Sequence, residues 1–256
     1  MANRTRTAAA AAVLMLATIG SSPSALAQQG QNGASAIEPD AVAALKRMQG
    51  TLRTLSAFSL RSDTTIDEVT EDGMKLQFGG TLTMQVRRPN GLHAEVKSDR
   101  KQRQLFYDGK SLTLYGAKAG GYYAIVPAPA TLKEVADAAD QKYGIRLPLA
   151  DLFYWSASAD ALAGIKEAAL IGPSRIGNVM CDHIAIRQEG LDWQMWIAQG
   201  KAALPQKLVI TTLGEASQPQ YVALMQWNTA PKFDAGTFRF VPPKGAHPIK
   251  LVELDK

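Results

Sequence analysis

Cys181, Asp182 and His183 stand together in the sequence, with a thiol and an imidazole two residues apart. On a strand that spacing puts both side chains on one face. Such a pair suggests either a soft-metal site or a thiolate with its base. A metal centre needs at least three converging ligands. The other two histidines, His93 and His247, have no ligand spacing to this pair. Side chains at i and i+2 also point in parallel rather than at each other, so proton transfer between them is disfavoured. Cys181 is therefore expected to be a buried, inert small hydrophobe beside a hydrogen-bonded His183. Ser174 lies in Gly172-Pro173-Ser174-Arg175-Ile176, which lacks the second glycine of a nucleophile elbow. Gly109-Lys110-Ser111 mimics the end of a phosphate-binding loop, but Gln104 stands where its first glycine is required. No catalytic residue, metal site or cofactor is expected, and the chain is expected to act by binding.

Two other groups of residues could carry a binding function. Phe153-Tyr154-Trp155 is an aromatic run, and Met84, Met195 and Met225 supply adaptable apolar surface. Arg87, Arg88, Lys97, Arg100, Lys101 and Arg103 are crowded into one short stretch. That cluster reads either as solvated charge that discourages edge pairing or as a contact patch for anionic lipid headgroups or an acidic partner.

The elements that must position these residues follow from periodicity. Pro39 suits a first helical turn. Val42, Leu45, Met48, Leu52 and Leu55 then recur at helical steps, with Gly50 an internal weak point. From Phe58 to Val126 the period becomes two. Leu82, Met84 and Val86 share a face, as do Leu92, Ala94 and Val96. Pro89-Asn90-Gly91, Asp108-Gly109 and Gly120-Gly121 are hairpin signals, and short turns join antiparallel neighbours. Gly79-Gly80 inside a strand pattern suggests a bulge or sharp bend. Thr131-Leu132-Lys133-Glu134 is a capping box opening a helix that Gly144 can stop. Leu147 to Trp155 reads as a second, strongly apolar helix, and Ala159 to Lys166 adds a turn or two. Strands resume at about 168–173, 176–188, 191–198, 206–213 and 220–228, with short ones near Phe238-Phe240 and Lys250-Val252. In Trp193 to Ile197 and Tyr221 to Trp227 both faces carry apolar residues. An antiparallel sheet with one wet face alternates more cleanly, so these strands are covered on both sides or face a cavity. The order of elements is α+β, one large antiparallel sheet with its helices on one side.

The start of the chain has the form of an export signal. Arg4 and Arg6 precede the uncharged run Ala8–Ile19, and Ala25-Leu26-Ala27 is a signal-peptidase pattern. Residues 1–27 are expected to be a signal peptide cleaved after Ala27, residues 28–37 a polar, disordered tail, and residues 38–256 one domain. The apolar run is short for a bilayer span, which needs roughly 20 residues. The formal charge of +5 falls to +3 without the two leader arginines. That mild excess suits an anionic surface without implying nucleic acid. The one cysteine excludes an intramolecular disulfide, so core burial must hold the exported chain.

Several segments together resemble a known family. They are Phe106–Tyr115 (FYDGKSLTLY), Tyr143-Gly144-Ile145 with Leu147–Leu152 (LPLADL), Cys181-Asp182-His183 with Asp192–Ile197 (DWQMWI), and Pro242–Ala246 (PPKGA). The chain resembles, over about residues 40–252, a family of predicted periplasmic proteins, domain of unknown function 2092. That family is similar in architecture to the periplasmic lipoprotein-localisation carriers. The resemblance implies a half-open barrel, a curved antiparallel sheet with helices on its concave side around an apolar cavity. It brings no functional residues to transfer. With it, Leu82, Met84, Tyr107, Leu152, Trp155, Trp193, Met195, Met225 and Trp227 are expected to line the cavity beneath a plug formed by Leu147–Trp155. The expected function is a periplasmic, non-catalytic carrier of a lipid, a lipoprotein acyl chain or another hydrophobic ligand, without stable membrane insertion. An envelope sensor or accessory module that binds a protein partner is the alternative, and a hydrolase the third.

Overall fold

The computed structural model describes residues 36–117, 121–157 and 163–254. The expected signal peptide and most of the expected tail lie outside the described residues. Helix α1 (Pro39–Thr54) opens with proline in its first turn, as the sequence predicts, and runs through Gly50. It buries Ala41, Ala44, Leu45, Met48 and Leu52 along one face. Ala36 and Ile37, the last residues of the expected tail, instead pair with a strand: Ile37 bridges Ala168 in parallel, and the Ala168 amide donates to Ala36 at 2.8 Å.

Six antiparallel strands follow. They are β1 (Ala57–Val69), β2 (Lys75–Arg87), β3 (Gly91–Lys97), β4 (Gln102–Tyr107), β5 (Ser111–Gly116) and β6 (Tyr122–Pro127). Helices α2 (Leu132–Tyr143) and α3 (Asp151–Ala157) interrupt the series. It continues with β7 (Glu167–Ile176), β8 (Val179–Gln188), β9 (Leu191–Ala198), β10 (Pro205–Thr212), β11 (Gln220–Asn228) and the two-residue β12 (His247–Pro248). The spatial order is β12-β6-β5-β4-β3-β2-β1-β11-β10-β9-β8-β7, all antiparallel except β12 on β6. Strands β7 and β12 are the two edges, so the sheet does not close. The first and last strand blocks join through β1 and β11, where Leu60 faces Trp227 and Ser62 faces Met225.

All three helices lie on one face of this sheet. Leu45, Met48 and Leu52 of α1, Val135 and Ala139 of α2, and Leu152, Phe153 and Trp155 of α3 share one core with the inward residues of the strands. The fold is thus α+β, a half-open barrel with its helices on the concave side. The capping box forms as expected: Thr131 Oγ1 accepts from the Glu134 amide, and the Thr131 amide donates to Glu134. Gly144 ends α2 in the left-handed conformation at φ 64°, which glycine adopts without a Cβ penalty.

Several local expectations are corrected. The apolar segment Leu147–Trp155 is not one helix. Residues 147–150 are irregular or turn, Leu149 takes φ 49°, and the helix starts at Asp151. Pro148 keeps Leu147 out of helical angles, and the left-handed Leu149 breaks the run before Asp151. Gly79-Gly80 makes no bulge; β1 and β2 stay in register through Thr65↔Gly79 and Thr64↔Gly80. A Cβ on Gly80 would sit 3.0 Å from the Lys97 carbonyl, so the glycine serves close strand approach. The register irregularities fall at Leu170/Gly172 and Pro205/Lys207 instead. The turn expected between residues 173 and 176 lies at Gly177-Asn178, leaving β7 longer than expected. Neither Phe238–Phe240 nor Lys250–Val252 forms a strand. Phe238 is a buried anchor for an irregular strap, packed edge-on to Phe233 with the Arg87 guanidinium over its ring.

A candidate amphiphile site at the barrel mouth

The residues with chemical potential sit on the convex, outer face. Cys181 is buried in a small cluster with Trp196 and Val209. His183 stacks on Trp196, with ring centroids 4.0 Å apart, and is hydrogen-bonded to Gln194 at 2.9 Å. The Lys207 ammonium covers the other side of this system, 4.4 Å from the Trp196 ring centroid. The Ser174 hydroxyl accepts from the Trp196 indole N–H at 3.1 Å. Burial pushes the Cys181 thiol above its ordinary value, disfavouring the thiolate. This cluster also explains why β8 to β11 carry apolar residues on both faces. Gly109-Lys110-Ser111 is a hairpin turn in which the Asp108 carboxylate accepts from the Lys110 and Ser111 amides at 3.0 and 2.9 Å. Among the described residues no three His, Cys, Asp or Glu side chains gather as a metal site.

The nine residues expected to line a cavity are brought together in one core. Leu82, Met84, Tyr107, Leu152, Trp155, Trp193, Met195 and Met225 are buried in the main core, and Trp227 packs against it. Trp155 stacks on Trp193 at 5.8 Å, and the Trp227 indole donates to the Pro205 carbonyl at 2.6 Å. The Tyr107 hydroxyl donates to the Pro129 carbonyl at 2.5 Å. Leu45, Met48 and Leu52 of α1 join the same core from the concave side. None of these nine residues lines the four clefts described below.

Two joined clefts open at one end of the barrel. Helices α2 and α3 run antiparallel beneath β2–β5. The start of α2 is tied to the β2–β3 turn by the Leu132 amide donating to the Pro89 carbonyl at 3.0 Å. The end of α3 returns to the same region, where the Arg88 guanidinium donates to Ser156 Oγ at 2.7 Å. Tyr154 braces the pair by donating to Asp137 at 2.8 Å. The α2–α3 connection, residues 144–150, therefore lies at the opposite end, beside the β3–β4 hairpin. A cleft of about 330 Å³ opens there, lined by Ala94, Val96, Leu105, Leu114, Ile145 and Pro148, with Lys101, Arg103 and Arg146 on its rim. A second of about 210 Å³ shares Val96 and Lys101 with it and adds Ile66, Phe78, Gly80, Glu68 and Arg100. Together they form a continuous apolar floor on the inner face, where Ile66 and Leu76 remain more than a third exposed. Small-molecule sites of about 300–1,000 Å³ are typical, so this mouth is large enough for a ligand or part of one. A third cleft of about 290 Å³ lies between β5–β6 and α2, lined by Leu112, Val126, Pro129, Val135 and Ala139. A fourth, of about 410 Å³, is shallow and lies between the end of α1 and the segment around Ala202.

The basic residues divide between the two ends of the sheet. Arg100 pairs with Glu68 at 2.7 Å and lies over the Phe78 ring at 4.4 Å. Arg146 is 3.6 Å from Asp140. Lys101 and Arg103 are exposed and take part in none of the salt bridges seen among the described residues. Lys97 is on the convex face, opposite in strand alternation to Val96. Arg87 and Arg88 correct the expectation of one patch. They stand at the β2–β3 turn, the length of β3 away from the others, roughly 20 Å at strand rise. Arg88 is half-buried against Ser156, and burial lowers its value. Arg146 completes the mouth and was missed in sequence, because only the α2–α3 connection brings it beside β3 and β4. Deeper in, burial pushes the Asp151 carboxyl up, and Tyr221 is pushed up to about 12 by burial and by the Asp151 charge.

Comparison with known proteins agrees with this architecture. Lipoprotein LppX of Mycobacterium tuberculosis superposes over 77% of this chain and 100% of its own, with TM-score 0.50 at 12% identity. LprF of Mycobacterium bovis covers 79% of this chain and 99% of its own, with TM-score 0.46 at 14% identity. A LolA superfamily protein of Nitrosomonas europaea covers 78% and 97%, with TM-score 0.31 at 8% identity. No curated protein sequence matches the chain. Among the described residues no helix is long and apolar enough to cross a membrane. The family model described as "Predicted periplasmic protein (DUF2092)" matches residues 41–252, and the chain belongs to that family.

Proposed function

We propose that this protein is a periplasmic, non-catalytic binding or carrier protein for a lipid or another hydrophobic ligand. The observation that carries the reading is the mouth. A half-open sheet leaves a cleft lined by Ala94, Val96, Leu105, Leu114 and Ile145, of which Val96, Leu114 and Ile145 are only partly buried, beneath an irregular connection rather than a packed helix. An acyl chain lying on that floor gains roughly 0.8 kcal/mol per buried CH₂. The strained backbone at Leu149 (φ 49°), in the segment over the cleft, fits a connection whose geometry changes at little cost when a chain enters. The fold shared with LppX supports the architecture, and the family description supports the compartment.

A protein-docking role has one observation in its favour. Beyond Gly172 the edge strand β7 has no outer neighbour in the sheet, and Ile171, Val179 and Met180 are exposed around it. Native mass spectrometry of the protein purified from its own compartment separates the two. A bound species of lipid mass that organic solvent extracts supports the carrier reading. Lipid-free protein that retains a stoichiometric protein partner puts the docking role in front.

A further inference from the structure

We propose that the ligand of the barrel mouth is an amphiphile with an anionic headgroup, phosphate or carboxylate, held by Lys101, Arg103, Arg146 and Arg100 while its chain lies on Val96, Leu105 and Ile145. The assignment rests on the carrier reading above and specifies its ligand. Four cations and one carboxylate, Glu68, stand among the lining residues of the two joined clefts. Glu68 is already taken up by Arg100 at 2.7 Å. Arg146 has a distant partner, Asp140, at 3.6 Å, and both are largely exposed. Lys101 and Arg103 take part in none of the salt bridges seen among the described residues. The mouth therefore has a positive rim with two uncommitted cations, directly beside apolar side chains.

The arrangement follows from strand alternation. Arg103 and Leu105 are on the same, inward face of β4, so a single residue step along the inner surface passes from charge to hydrocarbon. Val96 of β3 stands opposite Arg103, with Lys101 at the hairpin end. Phe78 extends the floor under Arg100. A neutral lipid would leave this rim unanswered. A cationic one would be repelled by it. An anionic head above an acyl chain matches both halves at once, and guanidinium groups suit phosphate and carboxylate oxygens in particular.

The test uses the full exported chain and two matched probes, dansylaminoundecanoic acid and its methyl ester. The acid should bind more tightly than the ester, and about a tenfold rise in salt should weaken the acid alone. Lys101→Gln combined with Arg103→Gln should weaken the acid by about threefold to tenfold and leave the ester unchanged. Lys101→Arg should retain acid binding. Lys97→Gln, on the opposite face at the same end, should change neither. Lysophosphatidylglycerol should displace the acid better than lysophosphatidylcholine, and inorganic phosphate alone should displace little. Efficient displacement by inorganic phosphate would overturn the assignment in favour of a simple anion site. Equal binding of acid and ester, with the double variant unaffected, would overturn the anionic headgroup while leaving a carrier standing. Binding of neither probe would overturn the carrier reading and the headgroup assignment with it.

Discussion

Trp155→Ala separates a packed interior from a ligand chamber. Trp155 is 7% exposed, stacks on Trp193 at 5.8 Å, and is one of the three apolar anchors of the seven-residue α3. A helix that short has no stability of its own and depends on such contacts. Removing a buried tryptophan costs about 3–5 kcal/mol in lost transfer energy and cavity. For a domain of this size each kcal/mol moves Tm by roughly 2–4 °C, so the expected drop is roughly 6–20 °C. Circular dichroism melts and urea unfolding with an unchanged m-value would measure it. Because the mouth clefts are lined by other residues, probe affinity measured well below Tm should change less than about twofold, under 0.5 kcal/mol. A variant that loses probe binding while its Tm moves by less than about 2 °C would refute the reasoning. Trp155 would then face a ligand rather than its neighbours.

Burial raises the Asp151 carboxyl, so its ionised form is unfavourable in the folded state. Asp151→Asn should stabilise the protein at neutral pH, with the gain fading as pH falls through the raised folded value and gone by the ordinary 3.8; a pH series of melts would show the crossover. Tyr107 and Tyr221 are both raised from 10.0 to about 12, so their contribution is complete below pH 10 and is lost as pH rises through 12. Ultraviolet titration should find at least three tyrosines, Tyr107, Tyr154 and Tyr221, ionising late or only with unfolding, and Tyr107→Phe should remove one of them. Cys181 is fully buried with its thiol raised. Thiol labelling should be slow in the folded protein and fast in urea, and rapid labelling of the native state would contradict the outer-face packing described for Cys181.

Much of the sheet was legible because alternation alone decides which residues face inward. Leu82, Met84 and Val86 face the core, as do Trp193, Met195 and Ile197, as their period of two requires. The capping box at Thr131 and the stop at Gly144 were legible because their chemistry is local. What escaped was set by distant parts of the chain. Leu82, Met84, Trp193 and Met225 share a core with Leu45, Met48 and Leu52 of α1, and nothing in strand periodicity shows that association. The cationic cluster was read as one patch because sequence proximity hides that residues 87–88 and 100–103 sit at opposite ends of the β2–β3 hairpin. The inward position of Arg103 follows from its alternation with Leu105, but the approach of Arg146 depends on how α2 and α3 dock. Phe238 mimicked a strand because an aromatic anchor in an irregular strap shows the same local hydrophobicity as a short strand.

The central claim is that a hydrophobic chain lies in the mouth between the β3–β4 hairpin and residues 144–150. A photoreactive acyl chain, incubated with the purified protein, irradiated and mapped by peptide mass spectrometry, tests it most directly. The expected labels fall on Val96, Leu105, Leu114, Ile145 and their immediate neighbours. Labels confined to the convex face around Trp196 or the β7 edge around Ile171, or none above background, would contradict the account.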